Sequence, residues 1–85
     1  MTKKELEDAG REMLTLETMA RISALQQEVD GYQRRYGAFE QVEARARETG
    51  KEDFDLDDAY NAWRWAREQL EDLRERLSSL RSDAA

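Results

Sequence analysis

From Leu56 to Leu80 the apolar residues Leu56, Ala59, Trp63, Ala66, Leu70, Leu73, Leu77 and Leu80 follow one another at alternating intervals of three and four. That spacing predicts a helix with a coiled-coil seam sustained over more than three heptads. Trp63 stands between the small residues Ala59 and Ala66, an arrangement that interdigitates with a bulky partner face. A second run has the same period: Ile22, Leu25, Val29, Tyr32, Tyr36 and Phe39, continued by Val42 and Ala46. A third precedes it: Leu6, Ala9, Met13, Leu16 and Ala20. The third run does not share a heptad register with the second, and the phase slips between Ala20 and Ile22.

No segment alternates apolar and polar over strand length, so no β-sheet is predicted. The clear break is Thr49-Gly50-Lys51-Glu52-Asp53-Phe54. Gly50 suits a left-handed helix end after Arg45 and Arg47, whose charges favour the carbonyl pole. Asp55 is placed to cap the next helix, with Asp57 and Asp58 in its positive first turn. The reading is one helical domain over residues 1–85: a helix at about 3–49, an acidic loop at 50–55, a helix at about 56–81 and a frayed tail at 82–85. With the turn near residue 52, Leu80 lies level with Ala24 and Leu56 with Glu48. The second helix therefore runs out where the first changes phase, and residues 3–20 overhang by about 27 Å at the helical rise. The predicted fold class is all-α: an antiparallel two-helix coiled-coil hairpin with an overhanging N-terminal helical segment, assembling into a dimer or bundle. Gly10 within the overhang costs about 1 kcal/mol of helix propensity, which suits a segment ordered by a partner.

Composition narrows the chemistry. The chain has 85 residues, of which 40% are charged and 39% hydrophobic, and eleven are alanines. Large apolar residues are too few for a multilayer core. Cysteine and histidine are absent, which excludes a disulfide framework and thiolate or imidazole metal sites, and removes the commonest general bases and nucleophiles. No window approaches a membrane span, and the start MTKKELEDAG is too charged for a secretory signal. A cytoplasmic protein is expected, and its net charge of −6 opposes nonspecific binding to nucleic acid or anionic lipid.

Four constellations invite chemistry. Asp53, Asp55 and Asp57 have the opening spacing of an EF-hand loop, but Asp58 takes the required glycine position and Arg64 that of the bidentate glutamate. Helix capping explains these carboxylates better than calcium. A catalytic carboxylate pair needs a cleft to shift one pKa, and a helical hairpin offers none. Arg34, Arg35, Arg45 and Arg47 lie near Tyr32 and Tyr36, yet those tyrosines belong to the seam and Glu40, Glu43 and Glu48 dilute the charge. Trp65 differs from its neighbour. Two residues after the seam residue Trp63, it is turned about 200° around the helix. It either leans back over Ala62 and Asn61 or forms an interface anchor beside Arg64 and Arg67.

The residues Arg35-Tyr36-Gly37, Phe39-Glu40, Asp57-Asp58 and Trp63, followed by the leucine stripe, carry a resemblance. From Ile22 to Leu80 the chain resembles a group of small prokaryotic helical-hairpin proteins, mostly of unassigned function. Some of these look like the antitoxin partner of toxin–antitoxin pairs. Many members begin a new helix with Ser or Thr after the Tyr-Gly, whereas this chain has Gly37-Ala38, which favours a continuous or kinked first helix. The resemblance implies a neutralising or regulatory partner of another protein. The expected function is a non-enzymatic protein-binding module, the alternative a self-associating structural coiled coil. The expected partner-binding residues are Leu6, Ala9, Met13, Leu16, Ala20 and Trp65. No catalytic residue, cofactor, metal, small-molecule substrate, nucleic acid or membrane is expected.

Overall fold

The computed structural model describes residues 2–49 and 54–83, which form three α-helices: α1 (Lys3–Tyr36), α2 (Phe39–Thr49) and α3 (Phe54–Asp83). α3 runs back along α1 and α2, giving an all-α helical hairpin with extents of 60 × 18 × 17 Å. Its direction is antiparallel: Tyr60 Oη donates to Glu43 Oε2 at 3.0 Å, and Arg74 Nη2 donates to Gln26 Oε1 at 2.6 Å. The first pair matches the predicted register. In the second, Gln26 meets a residue one turn earlier than predicted, so α3 reaches about one turn further along α1 and ends near Thr18.

The uninterrupted first helix is corrected. It breaks at Gly37-Ala38, where Gly37 takes φ 90° and ψ −149° and its N–H donates to Gln33 O at 2.9 Å. The reason lies in the spacing. Tyr36, Phe39 and Val42 are separated by three residues twice in succession, so an unbroken helix would turn Val42 about 120° away from Tyr36. The break resets the phase, and Val42 becomes fully buried. No Ser or Thr is needed, because the Ala38 carbonyl accepts from Gln41 N and Val42 N, both at 3.2 Å.

Two further boundaries move. α3 begins at Phe54, so Asp55 lies inside its first turn, together with Asp57, and is not the cap. Their charges still favour the positive helix pole. α3 also extends through Ser82 and Asp83, two residues of the predicted frayed tail. Residues 50–53 of the predicted loop and the terminal Ala84 and Ala85 lie outside the described residues.

The core is an aromatic cluster where all three helices meet. Trp63 is 2% exposed and packs with Val42 and Leu56, flanked by the partly buried Val29, Tyr32, Tyr36, Phe39 and Tyr60. Tyr32 stacks on Trp63 at 5.8 Å, and Phe39 meets the same ring edge-on at 5.1 Å. Ala59, Ala66, Leu70 and Leu73 continue the buried seam along α3. Trp63 Nε1 is buried without a hydrogen-bond acceptor among the described residues, so indole burial here carries a desolvation cost of about 1–3 kcal/mol.

Candidate protein-interaction surface

α1 begins with a device that holds its far end helical. Thr2 Oγ1 accepts from Glu5 N at 3.2 Å, and Thr2 N donates to Glu5 Oε2 at 3.4 Å, completing a capping box. Removing such a cap costs about 0.5–2 kcal/mol of helix stability. The Thr-x-x-Glu signal is plain in the sequence, and the reading above passed over it.

At 100° per residue, the side chains of α1 fall into two opposed sectors. Thr18, Ile22, Leu25, Val29 and Tyr36 occupy a sector about 60° wide; it faces α3, and all five are buried or partly buried. Leu6, Ala9, Met13, Leu16 and Ala20 occupy a sector about 80° wide, centred on the opposite side of the helix. All five are exposed, the three large ones to 59%, 64% and 60%. The two stripes cancel, and α1 as a whole has almost no net apolar side.

Where α3 runs out, the side of α1 that faces it turns polar. Thr15 Oγ1 donates to Arg11 O at 2.9 Å and Thr18 Oγ1 to Leu14 O at 2.7 Å. Both hydroxyls are thereby satisfied within the helix, so Thr18 is buried at little cost. A longer α3 would gain little apolar contact along this face. Apart from Leu14, the apolar residues of the N-terminal stripe lie on the other side.

Leu14 and Met19 are also large and exposed, and the sequence reading missed them because they fall off the three-four spacing. Leu14 lies eleven residues before Leu25, hence on the same line of the helix but beyond the end of α3. Met19 borders a shallow hollow with Ile22, Gln26, Arg74 and Leu77.

Trp65 is 57% exposed, so it does not shield the hairpin. It is not brought near the N-terminal stripe: it stands level with the α1–α2 break, about 30 Å along the molecule from Leu16. The neighbouring arginines are engaged elsewhere. Arg67 lies over the Phe39 ring at 3.9 Å, a cation–π contact the sequence reading did not foresee. Arg64 Nε donates to Glu68 Oε1 at 3.1 Å; this hydrogen bond, with the attraction between the two charges, raises the Arg64 pKa further above its ordinary value.

An open groove runs along the hairpin, lined by Gln26, Phe39, Arg67, Leu70, Arg74 and Glu75 among others. Its walls carry both guanidinium and carboxylate groups, and Arg74 is tied to Gln26 across it. Among the described residues no three Asp or Glu side chains group to hold a metal ion, and no described helix is long and apolar enough to cross a membrane.

These features define a class: a helical hairpin with one extended arm whose apolar stripe faces away from the hairpin. No family model, curated protein or solved structure matches this chain.

Proposed function

We propose that the chain is a non-enzymatic protein-binding module, in which the hairpin supports and the extended arm docks. The observation that carries this reading is the position of Leu6, Met13 and Leu16, large, exposed and opposite the face that α3 covers. Leaving such a stripe in water forgoes roughly 1.5–3 kcal/mol per large side chain that burial would supply. The capping box supports the same reading, because it keeps the stripe on one helical face. Helices of this kind are received by apolar grooves or by other amphipathic helices. Arg35-Tyr36-Gly37, Phe39-Glu40, Asp57-Asp58 and Trp63 resemble those of small helical-hairpin proteins, mostly of unassigned function, some of which look like antitoxins. That resemblance supports a neutralising or regulatory role, with Trp65 as a second exposed anchor.

Paired substitution tests the reading. Met13→Asp with Leu16→Asp places two charges on the stripe, and desolvating them at an interface is costly enough to prevent docking. At low protein concentration, where association adds nothing to apparent stability, the variant should melt at the wild-type temperature, because both side chains are exposed on the side away from α3. At higher concentration it should lose every association of the parent chain. Unchanged association, or a collapse of the fold, would refute the proposal.

A further inference from the structure

Resting on the reading of the arm as a docking surface, we infer that its occupant is a second copy of this chain, with the two arms crossing antiparallel near Gly10. The stripe is self-complementary in that direction. When Leu6 of one arm lies opposite Leu16 of the other, Ala9 falls opposite Met13, and each pairing recurs through the two-fold axis. A large residue thus meets a small one at both inner layers, the arrangement that fills an interhelical seam without voids.

The charges flanking the stripe favour the same direction. On one flank Lys3 of each arm comes level with Glu17 of the other, giving two opposite-charge pairs. Gly10 meets Gly10 at the crossing on that flank, where no described side chain intrudes on the space a Cβ would take. On the other flank Glu12 meets its own symmetry mate, a single like-charge contact. A parallel pairing does worse on each count. It sets Ala9 against Ala9 and Met13 against Met13, and it places Glu12 against Glu17 twice.

The hairpins do not obstruct this contact, because α3 covers the opposite face of α1 and ends near Thr18. Two arms of about 27 Å form an interface at the small end of the range for specific complexes. A dimer that dissociates on dilution follows, with the two hairpins projecting in opposite directions.

The full-length chain provides the test. Sedimentation equilibrium should find a concentration-dependent dimer with a micromolar dissociation constant, and Met13→Asp with Leu16→Asp should leave only monomer with unchanged helix content. Since the chain has no cysteine, direction can be read by oxidative cross-linking. An equal mixture of Ala9→Cys and Met13→Cys chains should cross-link to each other at least roughly tenfold faster than Ala9→Cys chains cross-link among themselves. Preferential Ala9–Ala9 cross-linking overturns the antiparallel arrangement. A dimer that survives the double aspartate variant overturns both this inference and the docking role of the arm. A wild-type chain that stays monomeric at millimolar concentration overturns the second copy alone. The docking role then stands or falls on whether the same variant loses capture of a foreign protein.

Discussion

The two halves of α1 have similar apolar spacing and opposite fates. Along residues 22–36 Ile22, Leu25, Val29, Tyr32 and Tyr36 are partly buried on the side of α3; along residues 3–20 Leu6, Ala9, Met13, Leu16 and Ala20 lie on the opposite side and are exposed. Both halves carry apolar residues at intervals of three and four, so periodicity cannot separate them. Phase does. A change of side within one continuous helix means that α3 can cover only one of the two stripes.

The sharpest test of the covered half is Trp63, against which Tyr32 and Phe39 pack. Trp63→Ala should cost about 3–5 kcal/mol by thermal or denaturant unfolding. Trp63→Phe should cost markedly less, because it removes an indole N–H that has no acceptor among the described residues. If the two substitutions are equally damaging, the buried donor is satisfied by some group other than those described.

A matched pair of substitutions compares the halves directly. Leu70→Ala, at a site 5% exposed, should lose about 2–5 kcal/mol, whereas Leu16→Ala, 60% exposed, should change monomer stability by no more than ~0.5 kcal/mol. Both remove the same atoms, so equal losses would place Leu16 in the core and erase the distinction. Measurements belong at low protein concentration, where dimerisation adds nothing to apparent stability.

How much of this the sequence discloses depends on which interval is read. The seam from Leu56 to Leu80 is regular, and it predicts the buried Trp63, Ala66, Leu70 and Leu73 directly. The phase slip between Ala20 and Ile22 locates the limit of the hairpin to within about a turn. The break at Gly37 was also written in the chain, in the repeated three-residue step from Tyr36 to Val42. The lack of a capping side chain at Gly37-Ala38 favours a continuous or kinked helix over a break, yet backbone carbonyls alone can start a helix. The cation–π contact of Arg67 with Phe39 depends on the rotation that the break imposes, so periodicity could not supply it. Trp65 shows a different limit: its exposure follows from its angle to Trp63, but its partner cannot follow from either.

Gly37→Ala probes the junction between α1 and α2. A Cβ there has room, with only Gln41 Oε1 at 3.9 Å, yet φ is +90°. The cost is therefore backbone strain of about 1–3 kcal/mol and not steric overlap. Truncating Gln41 should not relieve it. Relief by Gln41→Ala, seen in a double-mutant cycle, would show that crowding and not conformation requires the glycine.

The most local effect expected is that of Gly10→Ala in the uncovered arm. Gly10 is helical and nothing approaches the position of an added Cβ within 4 Å. Alanine there should favour the helix by about 1 kcal/mol. Because no described residue of α3 lies alongside, that gain should stay local. Amide hydrogens around residues 8–14 should exchange more slowly in a monomeric background, such as the Met13→Asp with Leu16→Asp variant, while those of Leu70 and Leu73 should be unchanged. Protection spreading to α3 would mean that arm and hairpin unfold as one unit. Two halves of one helix would then share a single cooperative fate, despite their stripes lying on opposite sides.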